Sequence, residues 1–133
     1  MSDKETFDFS GKKILIVEDD LISAKLISEL LKKTNVEIQV ENNANGAIEL
    51  LKTNKGFHLV LMDLQLPDKG GDDAIKEIRE FSDVPIIAQT AYSYNDDKLN
   101  EILHLCHDYI SKPIKKETLL SKINQVFTGK NNR

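Results

Sequence analysis

Ile14, Leu15, Ile16 and Val17 run directly into Glu18, Asp19 and Asp20. Four apolar residues, three of them β-branched, favour a strand buried on both faces. Three consecutive carboxylates resist following that strand into a core. The chain must therefore bring a buried strand to the surface at its carboxyl end and gather negative charge there. In parallel α/β sheets the carboxyl ends of strands are where ligands bind. Acids crowded at such an end build a site for a cation.

The rest of the chain repeats the plan. Short apolar runs alternate with amphipathic stretches. After the first run, at 13–17, Leu21, Ile22, Leu26, Ile27, Leu30 and Leu31 fall at helical spacing, and Thr34-Asn35 ends the helix. Val36 to Val40 alternates as a half-exposed edge strand does. Ala44 to Lys52 predicts a second helix, capped by Asn43 or Asn45. His58 to Met62 is the third run and ends in Asp63. Pro67, Gly70 and Gly71 mark a loop, and Ala74, Ile75, Ile78 and Phe81 one helix face. The fourth strand is expected over 85–89, a polar helix over 95–105, a short fifth strand over 108–111 and a closing helix over 115–127. Residues 1–11 and 129–133 read as frayed tails or a linker remnant, with one domain over 12–128.

Five strands alternating with five helices predict a doubly wound parallel sheet with right-handed crossovers. No G-x-G-x-x-G turn follows the first strand, and acids stand there instead, which argues against dinucleotide binding. The flavodoxin-like order 2-1-3-4-5 makes strands one and three neighbours, so their acidic ends meet. Glu18, Asp19 and Asp63 in one cleft repel and raise each other's pKa unless a cation intervenes. Mg²⁺ suits this donor set, since it takes one or two carboxylates with waters and a phosphate oxygen. The fourth strand leads to Thr90, a hydroxyl, and the fifth to Lys112, a point charge for a phosphoryl oxygen. With these groups around it, Asp63 can attack phosphorus.

Bulk properties exclude several other classes. The net charge of −4 gives no support to a nucleic-acid partner. The basic stretch from Lys112 to Arg133 reads as a solvated helix face. Met1 to Ser10 lacks the apolar core of a signal peptide, and no segment approaches the ~20 apolar residues of a membrane span. A single cysteine, Cys106, cannot form an internal disulfide, which fits a reducing cytoplasm. His104, Cys106 and His107 do not have zinc-site spacing, and Asp68 to Asp73 lacks the EF-hand pattern and reads as a flexible loop.

Four motifs together resemble the receiver domain of two-component response regulators: Ile14 to Asp20, Leu61 to Pro67 with Gly71, Gln89 to Ala91, and Tyr109 to Pro113. The resemblance covers about residues 12–128. It implies that Asp63 is the phosphoacceptor. It implies Mg²⁺ held by Asp19, Asp63 and the backbone carbonyl of Gln65, with Glu18 acting through water and Asp20 capping the first helix. Lys112 would hold a phosphoryl oxygen, and Lys112-Pro113 would be a cis peptide. Thr90 and Tyr109 would switch the surface of the fourth helix, fifth strand and fifth helix, where partners or a second copy dock. Gln65 and Tyr92 occupy the positions that tune phosphoryl lifetime, and the bulk of Tyr92 would slow hydrolysis. The implied donor is a histidine kinase or histidine phosphotransfer domain, and the only enzymatic activity implied is self-phosphorylation and autodephosphorylation.

The wording of Gln65 to Pro67 and of Tyr109 to Pro113 resembles receivers at the C-terminus of hybrid sensor kinases, with 8–12 as the remains of a linker. A stand-alone receiver is the other origin. From Leu103 to Asp108 bulkier residues stand where many receivers carry a Gly-Ala pair. Two rival readings are a pseudo-receiver that binds without being phosphorylated and a Mg²⁺-dependent phosphohydrolase. The first conflicts with the intact Asp63, Thr90 and Lys112. The second commonly needs an acid where this chain has Gln65.

Overall fold

The computed structural model describes residues 7–90, 100–102 and 104–129. Five parallel strands, β1 (Lys13–Val17), β2 (Glu37–Glu41), β3 (Leu59–Asp63), β4 (Ile86–Thr90) and β5 (Asp108–Ser111), form one sheet. Their order is β2-β1-β3-β4-β5, as expected. Among the described residues the α-helices are α1 (Leu21–Leu31), α2 (Ala44–Thr53), α3 (Gly71–Arg79) and a C-terminal helix (Lys116–Thr128), with a 3-10 turn at Lys32–Thr34 after α1. The helix expected over 95–105 falls largely outside the described residues; 100–102 are helical.

The interior strands are buried because helices cover both faces, which is why β1, β3 and β4 read as unbroken apolar runs. Alternate residues feed two cores. Leu15, Val17, Val60 and Met62 pack with α2 and α3. Ile14, Ile16, Leu59, Leu61, Ile87 and Ile110 face Ile27 and Leu31 of α1 and Leu119 and Ile123 of the C-terminal helix. Each fully buried aliphatic side chain contributes about 1.5–3 kcal/mol. β2 lies at the edge and keeps Ile38 half-buried, but the expected alternation breaks at Val40, which is 40% exposed because no strand among the described residues covers it on that side.

Two expectations are corrected. Of the six large aliphatic residues of α1, Leu21, Ile22 and Leu26 point to solvent. The buried stripe is Ala24, Ile27 and Leu31. At roughly 100° per residue, Ile22 and Leu26 lie about opposite that stripe. The N-terminal tail is also not frayed over its described part. Phe9 is only 3% exposed and donates its N–H to the Thr34 carbonyl at 2.7 Å. Its ring meets Phe127 edge-on at 5.1 Å, and Phe7 stacks on it at 5.7 Å. The segment is thus a strap that covers the lower edge of the core beside the C-terminal helix.

Candidate functional site

Parallel register assembles the site. Val17 pairs with Met62, so the next residues, Glu18 and Asp63, stand side by side. Both continue the parity of Ile16 and Leu61 and project on the face covered by α1 and the C-terminal helix. Lys112 continues the parity of Ile110 and reaches the same place. Its Nζ lies 3.3 Å from Glu18 Oε1 and 3.5 Å from Asp63 Oδ2. Glu18 and Asp63 are 1% and 2% exposed, so this ammonium is the cation that offsets two buried acids.

Backbone donors fix the carboxylates further. Asp63 Oδ1 accepts the N–H of Gln65 at 3.0 Å, and Glu18 Oε2 accepts that of Asp20 at 3.2 Å. Asp19 is exposed at the rim. One oxygen from each of Glu18, Asp19 and Asp63 can be chosen so that all three lie within 4.8 Å of one another. Three hard oxygen donors so close fit a small divalent cation such as Mg²⁺. Asp20 is engaged elsewhere. It caps α1, accepting from the Ile22 N–H at 3.1 Å and the Ser23 hydroxyl at 2.8 Å. These bonds, that of Ser23 first, hold its carboxyl below the usual range.

The other expected residues surround this cluster. Thr90 ends β4 and is buried. Tyr109 is half-buried on β5, against the α2–α3 core. Lys112-Pro113 is a cis peptide. Gln65 is exposed at the lip. Tyr92 lies outside the described residues. His104, Cys106 and His107 do not converge on a metal site among the described residues. His104 Nδ1 sits 2.7 Å from the Asn100 carbonyl. The Cys106 thiol donates to the Ile102 carbonyl at 3.3 Å, and burial pushes its pKa up to about 11.

Two residues near the site had no functional reading in the sequence. Asp68 accepts the N–H groups of Ala44 and Asn45, both at 2.9 Å. It joins Asn43, which accepts from Gly46, in capping α2. The stretch from Asp68 to Asp73 is therefore not the flexible loop expected but a pinned one that runs into the first turn of α3. The contact spans 24 positions, and no local pattern announces it. Gln89 is the second. It pairs in register with Asp63 on one side and Ile110 on the other. It is 0% exposed, and neither polar atom of its carboxamide has a hydrogen-bond partner among the described residues. Such a burial costs about 1–3 kcal/mol.

Burial, and next the like charge of Asp63, raise the pKa of Glu18 above its ordinary value, while Lys112 pulls the other way. A raised carboxyl pKa means the folded chain binds the proton more readily than the unfolded one. Stability therefore falls as pH rises from the unfolded value towards the raised one, and then levels off. Glu18→Gln is expected to flatten that segment and to raise Tm at pH 8 by roughly 3–5 °C in EDTA, the equivalent of about 1 kcal/mol. Melting curves from pH 4 to 8 decide it. An unchanged slope would show that Glu18 does not carry this dependence.

Comparison with known proteins agrees with the geometry. Residues 14–124 match the response regulator receiver domain family. The chain is 33% identical to the oxidative stress response two-component system protein SSK1 of Candida albicans, covering 84% of this chain and 21% of that protein. It is 36% identical to the response regulator ArlR of Staphylococcus saprophyticus, covering 86% of this chain and 52% of that protein. It thus spans between about a fifth and a half of these curated relatives. Among solved structures, it superposes on the receiver domain of Saccharomyces cerevisiae Ssk1, crystallised with the histidine phosphotransfer protein Ypd1. The TM-score is 0.78 at 33% identity, covering 88% of this chain and 89% of that one. It also matches the signal receiver domain of a LuxO-type repressor from Vibrio parahaemolyticus, with TM-score 0.80 at 27% identity, over 89% and 91% of the two chains. With acids at the ends of β1 and β3, a hydroxyl at the end of β4 and a lysine just past β5, this chain belongs to the receiver domains of two-component response regulators.

Proposed function

We propose that this receiver accepts a phosphoryl group on Asp63 from a phosphohistidine and signals the change through the surface around β5. The observation that carries this reading is the placement of the buried Asp63 carboxylate 3.5 Å from Lys112 and within 4.8 Å of Glu18 and Asp19. In the reaction an Asp63 oxygen forms the new bond to phosphorus as the P–N bond breaks and the donor imidazole leaves with the electron pair. Asp19, Asp63 and the carbonyl of Gln65 would hold Mg²⁺, with Glu18 acting through water. Bound there, the ion would neutralise charge on the transferring oxygens. Lys112 shifts from Glu18 to a phosphoryl oxygen, and the Thr90 hydroxyl donates to another.

The donor must cover Asp63 while its histidine reaches in. The exposed Leu21, Ile22 and Leu26 begin one residue beyond Asp20 and border the acidic cluster. This apolar patch is the surface we assign to the donor, a histidine kinase or histidine phosphotransfer domain. On the opposite flank, a groove lined by Tyr109, Lys112, Lys115 and Lys122 lies between β5 and the C-terminal helix. Movement of Thr90 and Tyr109 would alter this groove, which we assign to the output partner or a second copy. The phosphoryl group biases an existing equilibrium. Shifting a 1:99 population to 99:1 takes about 5.5 kcal/mol, which two or three charge-assisted hydrogen bonds can supply in large part. The unpaired Cys106 thiol and a phosphohistidine donor both suit a cytoplasmic setting.

Incubation with acetyl phosphate and Mg²⁺ tests the reading. Intact mass is expected to rise by ~80 Da (one HPO₃ carried as an acyl phosphate) in the wild type and not in Asp63→Asn. No gain in the wild type, or the same gain in the variant, would overturn it.

A further inference from the structure

Across the top of the sheet, one row of side chains on the α1 and C-terminal helix face runs Glu18, Asp63, Gln89, Ile110. The first two acids have Lys112 and backbone donors. Gln89 has nothing among the described residues, although it is fully buried and carries two donors and an acceptor oxygen. Its main chain is held in the ladder, where the Leu64 N–H donates to its carbonyl at 3.0 Å. Only the side chain has freedom to find a partner. An aliphatic residue would fill the place beside Ile110 without this penalty. A buried unsatisfied amide calls for an explanation, and a functional role at the adjoining site is one.

We propose that Gln89 is a positioning residue of the phosphoacceptor site, whose carboxamide turns onto the Asp63 side chain once the phosphoryl group is attached. The inference rests on the phosphoacceptor reading above. Residues in register on adjacent parallel strands stand about 4.8 Å apart with side chains on the same face. The Gln89 Nε2–H is thus within a rotamer change of the Asp63 carboxyl. In the resting site the Asp63 carboxylate has the Lys112 ammonium at Oδ2 and the Gln65 N–H at Oδ1. When Lys112 is drawn to the phosphoryl group, the Asp63 side chain loses one of these contacts. The amide beside it can replace that contact without admitting water. Gln89 immediately precedes Thr90, so this bond and the Thr90 hydroxyl would pull the same end of β4 towards Asp63.

The test uses the full chain and beryllium fluoride with Mg²⁺ as the phosphoryl mimic. In ¹⁵N spectra, the side-chain NH₂ signals of Gln89, assigned by their loss in Gln89→Met, are expected to shift and gain exchange protection when the mimic binds. Gln89→Met should melt higher than wild type at rest, because the orphan amide is gone. It should bind the mimic roughly tenfold more weakly, the worth of about one hydrogen bond. Unmoved Gln89 signals, in a wild type whose Thr90 and Lys112 amides do shift, would overturn the proposal. So would a Gln89→Met protein that melts lower at rest and binds the mimic equally well, since the amide would then already be satisfied by a structural water. A wild type that takes up neither the mimic nor the phosphoryl of acetyl phosphate would fail the phosphoacceptor reading itself, and this inference with it.

Discussion

Gly71→Ala is expected to destabilise this protein by about 3 kcal/mol or more, seen as a Tm roughly 10–15 °C lower. A Cβ at position 71 would stand 2.8 Å from the Asp63 carbonyl oxygen and 2.8 Å from Leu64 Cδ2, and would meet Leu64 Cα more closely still. The loop doubles back here, and the Gly71 N–H donates to the Leu64 carbonyl at 3.1 Å. Backbone atoms cannot step aside by changing rotamer, so either the first turn of α3 or the end of β3 must move. The end of β3 is Asp63. The substitution should therefore also weaken Mg²⁺ binding in calorimetric titration, although residue 71 offers no ligand. A Tm within 2 °C of wild type would show that the loop relaxes freely and that the close approach is not structural.

Strand identity and the location of the candidate site were legible for a common reason. In a doubly wound sheet the interior strands are buried on both faces, so each prints a dense apolar run, and whatever polar residue ends that run must lie at the ligand-binding edge. Glu18, Asp63, Thr90 and Lys112 were found that way, and the register then brought Asp63 and Glu18 onto one Lys112 ammonium. The face of α1 was not legible, because six large aliphatic residues in eleven leave the helical period without contrast. The exposed half, Leu21, Ile22 and Leu26, becomes meaningful only beside the acidic cluster. Phe9 was missed because a single aromatic in a polar segment carries no period, and its partners, Thr34 and Phe127, are distant in sequence. Asp68 was missed for the same reason. Gln89 belonged to a recognised motif, yet its orphaned carboxamide is a property of packing that no residue pattern reports.

Lys112→Ala is expected to act on both rate and stability, and the two can be separated. Its Nζ is within 3.5 Å of two buried acids, so its loss leaves Glu18 and Asp63 facing each other with no cation from the described residues between them. Breaking a buried pair costs about 3–5 kcal/mol. The Lys112 side chain is 26% exposed, so water screens part of this and about 1–3 kcal/mol is expected at neutral pH in EDTA. The cost depends on pH with a definite sign. Lys112 lowers the pKa of Glu18, so without it burial and Asp63 raise that pKa further. The folded chain then takes up a proton before the unfolded one does, and the deficit shrinks as pH falls through the raised folded value. Phosphoryl transfer from acetyl phosphate should slow by about 10²–10³, the usual effect of removing one preorganised donor to a developing charge. Lys112→Arg separates the roles. A guanidinium restores the charge and most of the Tm, but its planar fork does not reproduce the point charge at the phosphoryl oxygen, so the rate should stay well below wild type. If Arg restores both, position 112 supplies net charge alone. If Ala leaves the rate within threefold, Lys112 only neutralises the resting carboxylates, and the stabilisation of the transferring group must come from the metal and Thr90.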